Sequence, residues 1–282
     1  MSLELILIEE RRRIMRLVAI PPYQNPKVGW GWVLRQLVED YRKTGGLDGV
    51  EVDADEGYLI ESSSEKRDEE VLALISVGII NKVREYSQMG KYDGIVLTGA
   101  IDPGFIPARV VSKIPVTGAI HSALHMASLI GERVSEIHTV PSSSLIVRHL
   151  GERYGFRDKL VSVRISRHTS TETFVILQKY KDRWPERLND PGLKKIMDDI
   201  TTECIAAIEE NRADSLILAC EHLQSCADGV RQRLDKAGYH EIPIIRALPA
   251  GLEMAKAMAN MKLPQTARAY PGHDLKAAPK YC

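Results

Sequence analysis

The sequence predicts an α/β protein made of two similar halves, each with a central parallel sheet, and a ligand cleft between them. Three observations support this fold class. Apolar runs of strand length alternate with helical stretches, one pattern of segments occurs twice, and each copy contains a small-residue turn directly after a buried strand. Because ligands bind outside the carboxyl ends of parallel strands, those two turns are the predicted walls of the cleft.

The internal repeat is clearest at two buried strands. The segment Tyr92–Gly99 (YDGIVLTG) aligns without a gap to Ala213–Cys220 (ADSLILAC). Each is a continuous apolar run, as in strands covered on both faces. A strand opened by Ile-Pro follows each copy, at Ile114 and Ile242, and then a helix. Because order and spacing agree, we interpret the chain as two pseudo-symmetric Rossmann-like or flavodoxin-like domains rather than as unrelated βα units.

The remaining elements follow from periodicity. Strands are predicted near residues 16–20, 49–53, 114–120, 133–137, 160–164 and 242–248, and within 92–99 and 213–220. Helices are predicted near residues 29–44, 67–88, 142–154, 189–211 and 225–238. We expect residues 1–14 to be an N-terminal extension, residues 15–117 with 248–282 to form the first domain, and residues 118–247 the second.

Composition argues against several functional classes. Of 282 residues, 44% are apolar and 27% charged, and 38 basic residues balance 38 acidic ones, so neither nucleic acid nor an anionic membrane is an expected partner. The first apolar stretch precedes its basic run, the reverse of a signal peptide. The four cysteines lack CxxC or framework spacing, which predicts a reducing, cytoplasmic location. Dinucleotide, Walker and nucleophile-elbow motifs are missing, so no cofactor is predicted.

Cys220 is the candidate catalytic residue. It follows a buried strand and precedes a predicted helix, so backbone N–H groups and the helix dipole are expected to lower its thiol pKa and attract an anion. A thiolate there could exchange a proton at a carbon whose carboxylate or carbonyl the same N–H groups hold. The alternative is a small buried apolar residue. The loop position and the repeat favour a functional thiol.

From Arg16 to about Met258, the chain resembles the aspartate/glutamate/hydantoin racemase superfamily. The segments that carry the resemblance are Asp93–Gly104 (DGIVLTGAIDPG), Ile114–Gly118 (IPVTG), Leu216–Cys220 (LILAC) and Ile242–Ile245 (IPII). The resemblance implies a cofactor-independent enzyme without a metal, acting on a small carboxylate or cyclic amide. It also implies a homo-oligomer.

The chain departs from the superfamily at one position. Its racemases use two thiols on opposite faces of a carbanion-like intermediate, but the place of the first thiol is taken here by Gly99. A glycine first and a cysteine second is similar to arylmalonate decarboxylase, in which the single cysteine protonates an enediolate. The resemblance therefore implies racemase or isomerase chemistry with Cys220 as acid/base, with decarboxylation as an alternative. A non-catalytic small-carboxylate binding protein is the alternative from another class.

Two residues are candidates to replace the missing thiol. Asp102 carries an exchangeable proton, although Pro103 after it favours a turn or helix cap. His121 follows the second strand, in a helix predicted to begin near Ser122. His121 and His125 share a helical face, but no further ligand is placed to complete a metal site, so no metal is predicted.

The other substrate-binding candidates lie in loops after strands. They are Tyr23, Asn25, Gly99, Ala100, Ser142, Ser143, Glu221 and His222, together with His121. The first loop and its equivalent provide hydroxyl and amide donors for a carboxylate, and Asn25 is favoured among them by the family resemblance. Turn formation and helix capping explain the serines equally well. A hydrolase pairing Cys220 with His222 is disfavoured, because adjacent side chains on one strand-to-helix turn rarely face each other.

Overall fold

The computed structural model describes residues 14–24, 29–59 and 68–272. All but the last residue of the predicted extension 1–14 lies outside these ranges, and so does Asn25. The strands are β1 (Met15–Ile20), β2 (Val50–Ala54), β3 (Gly94–Leu97), β4 (Val116–Gly118), β5 (Val134–His138), β6 (Leu160–Ile165), β7 (Ser215–Leu218) and β8 (Ile244–Arg246). The helices are α1 (Trp30–Arg42), α2 (Glu69–Gln88), α3 (Phe105–Val111), α4 (Ala119–Ile130), α5 (Ser143–Arg153), α6 (Ser170–Gln178), α7 (Pro191–Asn211), α8 (Glu221–Gln224), α9 (Ala227–Lys236) and α10 (Ala247–Asn260), with a 3₁₀ helix at Trp184–Asn189.

The strands form two parallel sheets of the same topology. The first has the order β2-β1-β3-β4 and the second β6-β5-β7-β8. Ile20 pairs with Leu97 at the end of the first sheet, and Ile137 pairs with Leu218 at the end of the second. Strands β3 and β7 therefore occupy equivalent places, as the gapless alignment predicted. The prediction of an α/β fold with two pseudo-symmetric parallel sheets is confirmed.

Two helices cross between the sheets. Helix α4 follows β4 of the first sheet but also packs on β5, β7 and β8 of the second, while α10 follows β8 and packs on β1, β3 and β4. The two helices also pack against each other. Gly251 of α10 permits its close approach to β3, because a Cβ there would lie 2.8 Å from Cγ1 of Val96. The two sheets are thus joined by exchanged helices rather than by a single linker.

Two local features differ from the periodicity-based prediction. Helix α4 begins at Ala119, directly after β4, rather than near Ser122. Its first turn is capped from a distance, since the Asp102 carboxylate accepts hydrogen bonds from the N–H groups of Ile120 and His121. Helix α6 and the 3₁₀ helix were not predicted. Among the described residues, no helix is long and apolar enough to cross a membrane.

Candidate active site

A cleft lies where the loops after β1, β3, β5 and β7 meet. Its lining combines apolar side chains from the first half with polar and ionisable ones from the second. The residues lining it are Pro22, Ile75, Gly99, Ala100, Ile101, Pro103, His138, Thr139, Val140, Ser143, Ser170, Cys220, Glu221 and His222. Of the residues predicted from sequence, Gly99, Ala100, Ser143, Cys220, Glu221 and His222 are therefore brought together.

Cys220 lies two residues beyond β7, at the N-cap of α8. Its backbone is extended (φ −82°, ψ 148°) and 9% of the residue is exposed. The side chain of Gln224 stabilises the loop around Cys220. Its amide donates to the Ala219 carbonyl (3.2 Å) and accepts from the N–H of Leu248 (3.0 Å). Helix α8 has only four residues. The dipole that the sequence predicted at Cys220 is therefore that of a single turn, smaller than that of a long helix.

Gly99 occupies the equivalent position after β3. Its φ of +103° is one that L side chains rarely adopt, and a Cβ there would lie 3.1 Å from Cγ of Pro22. The backbone therefore favours glycine independently of any chemistry at this position. Beside Gly99, the first-half part of the cleft lining includes Pro22, Ala100 and Ile101.

Asp102 is buried under the cleft wall and does not line the cleft. Its carboxylate accepts from the N–H groups of Ile120 (3.1 Å) and His121 (2.7 Å) and from the Tyr154 hydroxyl (3.3 Å). Burial raises its pKa to about 7, against the lowering effect of these hydrogen bonds. Gly118 leaves room for the carboxylate, because a Cβ there would lie 2.7 Å from Oδ2. The geometry favours the helix-cap interpretation.

His121 packs beside this cap, outside the cleft lining. Its ring lies 5.1 Å from that of Phe105 and 4.8 Å from that of Tyr154, and its Nε2 is 3.3 Å from Nε2 of His125. Burial, reinforced by the positive charge of Arg109, lowers its pKa to about 3. His121 is therefore a neutral packing residue near neutral pH. No group of three or more His, Cys, Asp or Glu side chains within the described ranges could hold a metal.

The remaining loop candidates separate into buried and exposed residues. Tyr23 is 3% exposed and belongs to the hydrophobic core next to the cleft residue Pro22. Ser142 is exposed at the start of α5 and its side chain makes no capping hydrogen bond. Ser143 is buried and lines the cleft. Asn25 lies outside the described residues, so its predicted role stays a prediction.

Sequence reasoning missed an ionisable pair on β5. His138 ends the strand and lines the cleft, and its Nε2 lies 3.0 Å from Oε2 of Glu136. Both residues are 0% exposed. The signal was present in the sequence, because residues two apart in a strand share a face and acidic residues are rarely buried without a partner. Ser170, at the start of α6, was also missed because its helix was not predicted.

Comparison with known proteins identifies relatives across most of the chain. The family model Asp/Glu/Hydantoin racemase matches residues 33–255. Hydantoin racemase from Rhizobium meliloti is 30% identical over 210 residues, covering 73% of this chain and 77% of that protein. Hydantoin racemase from Pseudomonas sp. (strain NS671) is 23% identical over 184 residues, 65% of each chain. The match thus spans just under two thirds of that relative's length.

Solved structures show the same fold at lower identity. Allantoin racemase from Pseudomonas fluorescens superposes with a TM-score of 0.72 at 19% identity, covering 94% of this chain and 97% of that one. Unliganded arylmalonate decarboxylase gives a TM-score of 0.52 at 15% identity, covering 87% and 92%. The family match extends from α1 into α10 and includes both strands of the repeat together with Cys220. The chain belongs to the Asp/Glu/hydantoin racemase family.

Proposed function

We propose that the protein catalyses cofactor-independent proton transfer at a carbon next to a carboxylate or carbonyl, of the racemase or isomerase type, with Cys220 as acid/base. The observation that carries this proposal is the position of the thiol. Cys220 lies beyond the end of a buried strand and lines a cleft whose opposite wall comes from the equivalent loop of the other half. Family membership supports the same chemistry.

The reaction requires a thiolate and a place for the developing negative charge. The thiolate takes the α-proton, and the electron pair of the C–H bond moves toward the carbonyl oxygen, giving an enolate. Inversion of the centre requires the return of a proton to the other face, where Gly99 offers no thiol to donate it. Hydroxyl donors are available for the oxyanion, since Thr139 and Ser143 line the same cleft. The Thr139 hydroxyl is buried without a hydrogen bond to any described residue, so it is the donor that we expect to bind the substrate oxygen.

The expected substrate is a small carboxylate or cyclic amide. The relatives are named as hydantoin and allantoin racemases, whose names specify cyclic ureides. The first-half wall is apolar, with Pro22, Ile75 and Ile101 among its residues. A compact ring fits this cleft if its carbonyl groups face the polar residues of the second half and its carbon atoms face the apolar wall of the first half. From the family resemblance we also propose a homo-oligomer, which light scattering after size exclusion tests.

Decarboxylation is the second candidate, and Gly99 favours it. A reaction that needs only one protonation uses one thiol, and the backbone at Gly99 disfavours a second. In that reaction the bond to the leaving carboxylate breaks, carbon dioxide departs, and Cys220 protonates the resulting enediolate on one face.

Hydrogen exchange in deuterated water distinguishes these reactions. Hydantoins, allantoin and aryl-substituted malonates are incubated with the wild-type protein and with Cys220→Ser and Cys226→Ser variants. Cys226 is the matched control, because it is a buried thiol that does not line the cleft. Deuterium incorporation from both enantiomers indicates a racemase, and carbon dioxide release with one labelled face indicates a decarboxylase. The proposal predicts that Cys220→Ser lowers turnover at least a hundredfold while Cys226→Ser retains it.

Ligand binding without turnover identifies the third possibility. If the folded wild-type protein binds a panel member but neither exchanges nor decarboxylates any, it is a small-carboxylate binding protein and the catalytic proposal is wrong. Equal turnover of the wild type and Cys220→Ser would also overturn the proposal, because it would place the chemistry elsewhere.

A further inference from the structure

The pair of Glu136 and His138 is an unusual feature of a fully buried strand. All five residues of β5 are buried, and the two ionisable side chains lie on one face, joined by the 3.0 Å contact between Nε2 and Oε2. Burying an acid and a base is unfavourable unless they pair well, and an apolar pair of similar size is often as stable. A structural role alone is therefore a weak explanation for this pair.

Two atoms of the pair have no partner among the described residues. They are Nδ1 of His138 and Oε1 of Glu136, and both are buried. The contact with Glu136 favours the tautomer with hydrogen on Nε2, which leaves a lone pair on Nδ1. Because His138 also lines the cleft, it combines the properties of a general base: an oriented imidazole, a carboxylate behind it and a ring nitrogen available to another group.

The topology brings His138 and Cys220 to the ends of neighbouring strands. Strands β5 and β7 are neighbours in the second sheet, and Ile137 pairs with Leu218, so His138 and Cys220 both extend beyond the same pair of residues. Both line the same cleft. A Cys–His–carboxylate arrangement on adjacent strand ends is therefore available without any contribution from the first half.

We propose that His138, oriented by Glu136, is the acid/base partner of Cys220. Nδ1 of the neutral imidazole takes the thiol proton, the S–H electron pair stays on sulfur, and the Glu136 carboxylate stabilises the imidazolium. The thiolate is then ready to take the α-proton of the substrate. This inference rests on the proposed function for its catalytic consequence, but the thiol–imidazole pair can be tested without a substrate.

Other ionisable groups surround the pair and could contribute to its titration. They are Glu221 and His222 after β7, Asp102 after β3, and Asp199 on α7, which binds Ser166 at the end of β6. Asp102 is close enough for the charge of Glu136 to contribute to its raised pKa. Variants of His138 and Glu136 are therefore compared with Glu221→Gln, which removes a competing carboxyl that lines the same cleft, rather than interpreted alone.

The test is the pH dependence of Cys220 alkylation by iodoacetamide, measured at this site by peptide mass spectrometry. An ordinary cysteine titrates near pH 8.5, whereas a thiol paired with an imidazole reacts at lower pH. We expect the wild-type midpoint to lie at least one pH unit below that of an ordinary thiol. His138→Gln should raise it by about one unit or more, with a roughly tenfold lower rate near pH 6.5. Glu136→Gln should move the midpoint in the same direction by less.

The control is His149→Gln, which replaces an exposed histidine on α5 and should leave the midpoint unchanged. Circular dichroism checks that each variant is folded. If His138→Gln does not fold, His138→Asn and the wild-type midpoint still test the inference.

A wild-type midpoint near pH 8.5, or a shift caused by Glu221→Gln but not by the His138 variants, would overturn the inference. A His138-dependent midpoint without turnover of any substrate would support the pair while rejecting the proposed function. Turnover that requires Cys220 but is insensitive to His138 would support the proposed function while rejecting the thiol–imidazole pair.

Discussion

At Gly99, the backbone disfavours the side chain that a second thiol would require. Its φ of +103° acts together with the position of Pro22, whose Cγ would lie 3.1 Å from any Cβ at this residue. Introducing a cysteine is therefore not a simple gain of a second thiol, since its side chain would adopt a strained φ and press against Pro22. The one-thiol pattern is a property of the loop as well as of the sequence.

Substitution of Gly99 should separate strain from steric contact. We expect Gly99→Ala to lower the free energy of unfolding by about 1–3 kcal/mol through the unfavourable φ, with a further loss from Pro22. Gly45→Ala is the matched control, because Gly45 has φ +84° and open space around it. Urea unfolding should show the larger loss at Gly99, and Pro22→Ala should reduce the difference. A Gly99→Cys variant as stable as the wild type would contradict this account.

Asp102 should make stability depend on pH in a direction unusual for a carboxyl. Its pKa is about 7 in the folded chain against an ordinary 3.8, so the folded state holds the proton more tightly. The unfolding free energy should then fall as pH rises from about 4 to about 7, by up to about 1.4 kcal/mol per pH unit. Asp102→Asn cannot titrate. Urea unfolding across this range should show a steeper decline with rising pH for the wild type than for the variant, and parallel curves would refute the assignment.

At the scale of elements, α6 positions part of the cleft through its cap. The hydroxyl of Thr169 accepts from the Glu172 N–H (3.2 Å), and the Glu172 carboxylate accepts from the Thr169 N–H (2.8 Å). The helix then places Ser170 in the cleft lining and the Phe174 ring 5.6 Å from that of His222. A short capping motif therefore orders a wall that the apolar pattern does not specify.

Removing this cap should loosen the wall measurably. Thr169→Ala should cost about 1 kcal/mol in unfolding free energy, the usual value of an N-cap. Thr169→Ser retains the hydroxyl and should stay within a few tenths of a kcal/mol of the wild type. Chemical denaturation gives both values. Equal losses for the two variants would mean that the methyl group rather than the hydroxyl is responsible.

The sequence was sufficient to predict the elements that repeat or bury an apolar face. Strands β3 and β7 were identified because each is a continuous aliphatic run, and that placed Cys220 and Gly99 at equivalent turns. Helix α6 was missed because its polar start depends on a cap rather than on periodicity. The start of α4 was misplaced because its cap, Asp102, comes from a loop 18 residues earlier. The Asp102 contact is made by the fold and leaves no local pattern.

At the scale of the whole molecule, a partly buried charge pair connects the first half to the segment that follows the Cys220 loop. Arg187 of the 3₁₀ helix donates to the carbonyls of Ser225 (3.1 Å) and Trp184 (2.9 Å) and to the carboxylate of Asp40 on α1 (3.2 Å). The Trp184 indole donates to the same carboxylate at 2.7 Å. Because Ser225 follows α8, this network connects α1 to the segment next to Cys220. The exchanged helices α4 and α10 also join the halves.

Breaking the Asp40–Arg187 pair should therefore destabilise both halves together. In Asp40→Ala the guanidinium stays buried without its counter-charge, which should cost about 3 kcal/mol. Adding Arg187→Met removes the uncompensated charge, so the double variant should be no less stable than Asp40→Ala alone. The exposed pair of Glu152 and Arg157 is the control, and Glu152→Ala should cost less than about 1 kcal/mol.

Unfolding of the wild type and the variants, followed by fluorescence and by circular dichroism, should remain one coincident transition, because the crossing helices couple the sheets. The Asp40 variant should have a lower urea midpoint than the wild type. Two separated transitions in the wild type would show that the halves unfold independently and would contradict this coupling.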